Sequence, residues 1–233
     1  PIISTVDESL YAAEALLRFR TSTGEMISPG EFIPLLEENK LIIPVGKWII
    51  RNALIVCRQI RASHPNFKIS INLSYVQLLR TPLFSDVKCA LEELGLPSGC
   101  LIVELTESGH LGNNASVMNV WHKLKDLGVE IALDDFGTGY SNLINIGNLH
   151  PNFVKIDRSF TLKALQNAYE FDLLAYVFQM VHTLGLHLVV EGIENQEELD
   201  RIVELGPDYI QGYYYSKPCP QKEFMRKYRC KEK

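Results

Sequence analysis

Two aspartates stand side by side at positions 134 and 135, where the apolar run of "IALDDFGTGYSNL" ends and breaks into glycine. Adjacent carboxylates repel each other, so the pair calls either for a turn to cap or for a positive charge to hold. Other apolar runs also end in polar side chains. These are Asn72 in "KISINLS", Glu104 with Glu107 in "CLIVELTE", Lys155 with Asp157 in "FVKIDRSF", Glu191 with Glu194 in "HLVVEGIE", and Gln211 in "YIQGYYYSKP". Glu14 is the exception, standing early in "AAEALLRF", ahead of Arg18.

Each residue alone has an ordinary reading. Asp135 can serve a turn, Asn72 can cap a helix, and Glu104 can pair with Lys155 or Arg18. An unpaired carboxylate inside "LIVELTE" would be costly. Taken together, Asp, Glu and Asn are hard oxygen donors, suited to Mg²⁺, Mn²⁺ or Ca²⁺. The six histidines show no metal-site spacing, which disfavours zinc. Two adjacent aspartates can serve two cations about 3.5–4 Å apart, one carboxylate bridging. Such pairs act on phosphate esters, and Arg18 and Lys155 would then face phosphate oxygens. The residues alone point to a metal-dependent enzyme, plausible as a phosphodiesterase, with enolate chemistry as a remote alternative.

Elements must bring these residues together. Seven short apolar, β-branched runs read as strands of a parallel sheet buried on both faces. Amphipathic segments alternate with them: 45–63, 75–95, 114–128, 163–185 and 195–206. In the first, Trp48, Ile49, Ala53, Val56, Cys57 and Ile60 share one face. Gly95, Gly128, Gly185 and Gly206 end four of the segments, as helix caps do. Alternation over this length predicts an α/β protein, a modified TIM (β/α)8 barrel. The eighth strand falls in "PIISTV", which reads as a first strand truncated at the N-terminus. Barrel sites form at the C-terminal strand ends, where most of the polar residues fall.

The totals set limits. A net charge of −5 argues against a binder of nucleic-acid polymers. The basic tail "KEFMRKYRCKEK" reads as a solvated helix end. Five cysteines, odd in number and without C-x-x-C spacing, suggest a reducing compartment. Pro44 and Lys47 interrupt the most apolar segment, so no membrane span is expected, and no signal peptide is visible. The chain is expected to be cytoplasmic, either free or as the cytoplasmic part of an anchored protein. It is read as one domain over residues 1–233, cut from a longer multidomain protein.

The ordered motifs resemble the EAL family of cyclic di-GMP phosphodiesterases. "EALLRF" matches the family's signature. "ISPGEFIPLLEENKLI", "INLS", "ELTES", "DDFGTGYSNL", "KIDRSF", "VVEGIE" and "YIQGYYYSKP" follow in the family's order. The resemblance implies a barrel that opens cyclic di-GMP to linear pGpG with Mg²⁺ or Mn²⁺, two ions in all, and with Ca²⁺ inhibitory. Glu14, Asn72, Glu104 and Asp134 would hold one metal, and Asp134 would bridge to a second held partly by Asp135. Lys155 would lie by the attacking water, and Glu191 would be a metal ligand or general base. Gln211 would position water or phosphate, and Arg18 and Leu17 would contact substrate. Glu107 would brace the loop of Asp134 and Asp135. Phe19, Asn142 and Ile193 depart from the usual Trp, Ser and Val without removing a ligating group. The resemblance also implies a weak homodimer and sensor or cyclase domains upstream. The alternative is a catalytically inactive cyclic di-GMP receptor, although such members usually lose ligating acids and this chain keeps them.

Overall fold

The computed structural model describes residues 1–79, 82–106, 115–138 and 142–228. Eight strands close into a barrel. In chain order they are β1 (Ile2–Ser4), β2 (Leu10–Ala15), β5 (Lys68–Asn72), β6 (Leu101–Thr106), β7 (Glu130–Phe136), β8 (Phe153–Ile156), β9 (His187–Glu191) and β10 (Tyr209–Gln211). A two-stranded ribbon, β3 (Phe19–Arg20) with β4 (Met26–Ile27), stands outside it. The helices are α1 (Pro29–Glu38), α2 (Ile42–Arg61), α3 (Tyr75–Leu78), α4 (Pro82–Leu94), α5 (Ala115–Leu127), α6 (Asn142–Leu149), α7 (Arg158–Gln166), α8 (Ala168–Thr183), α9 (Gln196–Val203) and α10 (Gln221–Tyr228).

The N-terminal segment does supply a strand, but that strand is antiparallel to both neighbours, pairing Ile2 with Gln211 on one side and with Ala12 on the other. The cause is the short link from Ser4 to Leu10, since a parallel return needs a dozen residues or more. In that link Ser4 N donates to Ser9 O, and Asp7 Oδ1 accepts from Ser9. The other seven strands of the barrel run parallel.

The continuous apolar runs divide by a period of two. Ile69, Ile71, Leu101, Val103, Ile131, Leu133, Val154, Ile156, Leu188 and Val190 join the large core beneath the helices. Ile2, Ala12, Ile102, Ala132, Phe153 and Val189 form a separate cluster in the barrel interior.

Several expected boundaries shift. Trp48 is 59% exposed. The buried line of α2 runs through Ile50, Ala53, Leu54, Cys57 and Ile60, and two residues turn a helix by about 200°, which carries Trp48 away from Ile50. The segment 75–95 divides into α3 and α4, with Pro82 opening the second helix, where its missing N–H does no harm. The segment 163–185 breaks at Asn167, whose side chain accepts from Tyr169 N and caps α8. All four predicted glycine caps have positive φ. The basic tail is less solvated than expected, because Phe224 of α10 is buried and lies 6.5 Å from the Phe67 ring.

Candidate active site

Two residues beyond the apolar interior row, the same strand faces turn polar. Ala12 is followed by Glu14, Ile102 by Glu104, Ala132 by Asp134, Phe153 by Lys155 and Val189 by Glu191. Parity thus delivers one charged side chain from each of these five strands to the C-terminal mouth. Glu14 is no exception. The strand starts at Leu10 rather than at Ala12, so Glu14 lies one residue from its end. The run "AAEALLRF" starts two residues inside that strand, because Leu10 and Tyr11 also belong to it.

The side chains converge on Lys155, which is 2% exposed. Its ammonium lies 2.5 Å from Glu191 Oε1, 2.7 Å from Glu104 Oε2, 3.3 Å from Asp134 Oδ1 and 3.7 Å from Glu14 Oε2. Four carboxylates against one ammonium leave three negative charges uncompensated when all are ionised. Burial works against the Lys155 charge, but Glu104, Glu14, Glu191 and Asp134 outweigh it and hold the ammonium well above its ordinary pKa. Burial pushes Glu104 well up; Lys155 opposes this, while Glu14 and Asp134 add to it. The same burial, against the pull of Lys155, raises Glu191 to about 7. Burial also opposes Glu14, but Lys155 and the Gln211 and Asn72 amides win and lower it.

The neutral residues act on the acids. Asn72 Nδ2 donates to Glu14 Oε1 (2.7 Å), and Gln211 Nε2 donates to Glu14 Oε2 (2.6 Å). Asn72 does not cap α3; Ser74 does, in a capping box with Gln77. Ser70, which the sequence reading missed, donates its hydroxyl to Glu104 Oε1. Its position two residues before Asn72, on the same side of the strand, was the available signal.

The paired aspartates now have an explanation. The register of β7 against β8 shifts between Leu133 and Phe136, and Asp135 takes a φ of 58°. This break in alternation keeps the second carboxylate in the field of the mouth. Burial, then Asp134 and Asp157, raises the Asp135 pKa. Asp135 N donates to Asp134 Oδ1, and Asp135 O accepts from Thr138 N, so the residue is also a turn residue. Gly137 is required next, because its φ is 104° and a Cβ there would lie 2.5 Å from Phe160 Cδ1.

Some expected members stand apart. Arg18 is exposed and donates to Leu17 O, with Leu17 half-buried beyond β2; among the described residues no hydrogen bond or ion pair joins either to the acids. Asp157 caps α7, and Glu194 pairs with Arg158. Glu107 lies outside the described residues.

The donor set fits a hard divalent cation in kind: Glu14, Glu104, Asp134, Asp135 and Glu191 with the amides of Asn72 and Gln211, and no soft ligand. Gln211 Oε1 is buried without a hydrogen-bond donor, as an oxygen awaiting a cation or water would be. Glu191 Oε1 likewise has no aligned donor, although it touches the Lys155 ammonium. Among the described residues no three acids or histidines close into a ready metal cage. The ammonium takes the point on which the carboxylates converge.

An α/β barrel with one antiparallel strand and an acidic mouth around a lysine defines the class. The sequence matches the EAL domain model over residues 1–218, so the chain belongs to the EAL domain family. It is 35% identical over 227 residues to the signaling protein YkoW of Bacillus subtilis, covering 96% of this chain and 28% of YkoW. It is 33% identical to the cyclic di-GMP phosphodiesterase NbdA of Pseudomonas aeruginosa, covering 98% of this chain and 30% of NbdA. The chain therefore spans under a third of the length of these curated relatives. The solved PaMucR phosphodiesterase in complex with c-di-GMP superposes with a TM-score of 0.86 at 31% identity, covering 96% of this chain and 91% of that one. Among the described residues no helix is long and apolar enough to cross a membrane.

Proposed function

We propose that this chain is a cyclic di-GMP phosphodiesterase that opens the ring to linear pGpG with Mg²⁺ or Mn²⁺, two ions in all, and is inhibited by Ca²⁺. The observation that carries this reading is the convergence of Glu14, Glu104, Asp134 and Glu191 on Lys155 at the C-terminal mouth of an EAL barrel.

Glu14, Asn72, Glu104 and Asp134 would hold one ion, with Asp134 and Asp135 serving the second and Glu191 joining as ligand or base. Bound divalent ions supply charge neutralisation and an acidified water. Water adds to one phosphorus as the P–O bond to a ribose oxygen breaks; the water would give up a proton, to Glu191 where that residue serves as base, and the ribose oxygen would leave as a hydroxyl by taking one up. Lys155 holds a proton at Nζ, placed to offset charge developing on the phosphoryl oxygens. Gln211 and Asn72 fix both oxygens of Glu14, so its carboxylate keeps one orientation through the reaction. Arg18, exposed, and Leu17, half-buried, both just beyond β2, are assigned to substrate.

A homodimer is part of this reading, as are sensor or cyclase domains upstream and a cytoplasmic location. The test is chromatography of cyclic di-GMP with and without Mn²⁺, with Glu14→Ala alongside. Metal-dependent pGpG, lost in the variant, is the expected result. An intact dinucleotide at high protein concentration sinks the reading, and binding without turnover moves the chain to the receptor class.

A further inference from the structure

We propose that Ser70 is a positioning residue of this site, fixing Glu104 so that its carboxylate serves Lys155 and a divalent cation at once. The inference rests on the functional reading above and deepens it.

Ser70 is 0% exposed and lies on β5. The strand register sets Asn72 opposite Glu104 and Ser70 opposite Ile102, one rung further from the mouth. The hydroxyl therefore reaches Glu104 Oε1 from the floor of the barrel, while Lys155 Nζ holds Oε2 at 2.7 Å. Both oxygens of a carboxylate only 1% exposed are thereby oriented, and the mouth side is left for a cation.

Without the hydroxyl the carboxylate has two courses. It can rotate to give both oxygens to the ammonium, withdrawing from the mouth, or it can keep an unpaired oxygen in the interior. Either course weakens what Glu104 offers a cation. If Ser70 were only a small residue filling the barrel, its loss would change stability and leave cation affinity alone.

The experiment is titration calorimetry of Mn²⁺ into the purified chain, with kcat and KM for cyclic di-GMP measured in parallel. Ser70→Ala is expected to weaken Mn²⁺ binding about tenfold or more, the usual effect of removing an outer partner of a metal ligand. kcat at fixed Mn²⁺ should fall with it, while KM for the dinucleotide stays within about twofold. Ser70→Cys fills the space with a weaker donor and should fall between parent and alanine. It carries the test if the alanine variant does not fold. Parental Mn²⁺ affinity in the variant that folds overturns the proposal, whatever happens to Tm. A parent that binds Mn²⁺ but leaves cyclic di-GMP intact sinks the phosphodiesterase reading alone, with the tenfold affinity difference still expected. A parent that binds no Mn²⁺ overturns both.

Discussion

Lys155 is the only cation in contact with four buried or half-buried acids among the described residues, and each acid is placed by its distance from that ammonium. Replacing it by methionine keeps the volume and removes the charge. Breaking a buried ion pair from one side costs about 3–5 kcal/mol, so Lys155→Met should unfold at clearly lower urea than the parent. Added Mn²⁺ should recover part of that loss, since a cation can replace the missing charge. Unchanged urea midpoints would show that the acids are already neutral in the folded chain. Most of these residues were legible as polar ends of apolar runs. Arg18 and Lys155 look alike in the sequence because both are basic, yet of the two only Lys155 meets the acids among the described residues. Burial separates them: Lys155 sits on the interior row of a strand, and Arg18 lies beyond the end of one.

At the scale of elements, the bend after β7 and the base of the barrel each carry a prediction. Gly137 has a φ of 104° and faces Phe160 of α7. Gly137→Ala must strain the backbone or displace Phe160, at a cost of about 1–3 kcal/mol. A lower Tm together with lost turnover would show that the bend sets the site, and a parental Tm would refute the strain. At the opposite end Asp208 accepts from Leu188 N (2.7 Å) and His182 Nε2 (3.0 Å), with His187 Nδ1 at 3.4 Å. Burial raises its pKa, but these donors prevail and hold it below the ordinary 3.8. A group lowered in the fold stabilises above its unfolded value and loses that contribution as pH falls through the folded one. Asp208→Asn should therefore cost about 1 kcal/mol at neutral pH. In denaturant titrations the difference from parent should fade below pH 3.8; a difference constant across pH would contradict the charge argument.

At the scale of the molecule, the barrel gathers an acidic mouth that a divalent cation would neutralise. Mn²⁺ at about a hundred times its dissociation constant should add about 2.7 kcal/mol of stability. Thermal unfolding with Mn²⁺ and then with chelator checks this, and a Tm indifferent to both would remove the metal from the account. Sedimentation over a range of concentrations tests the homodimer, with a fully active monomer throughout as the adverse result.

The alternation of strands and helices, the barrel, the acidic residues at the strand ends and the family likeness were all legible in the sequence alone. These are local properties of period, residue type and order, and they survive an error of two residues in a boundary. That the first strand runs antiparallel emerges from the fold, because direction follows from how a five-residue link between Ser4 and Leu10 can close. Only the fold could bring Ser70 to Glu104 across 34 residues and set four acids on one ammonium. Those contacts depend on strand register around a closed barrel, and register is a relation between strands that no single segment contains.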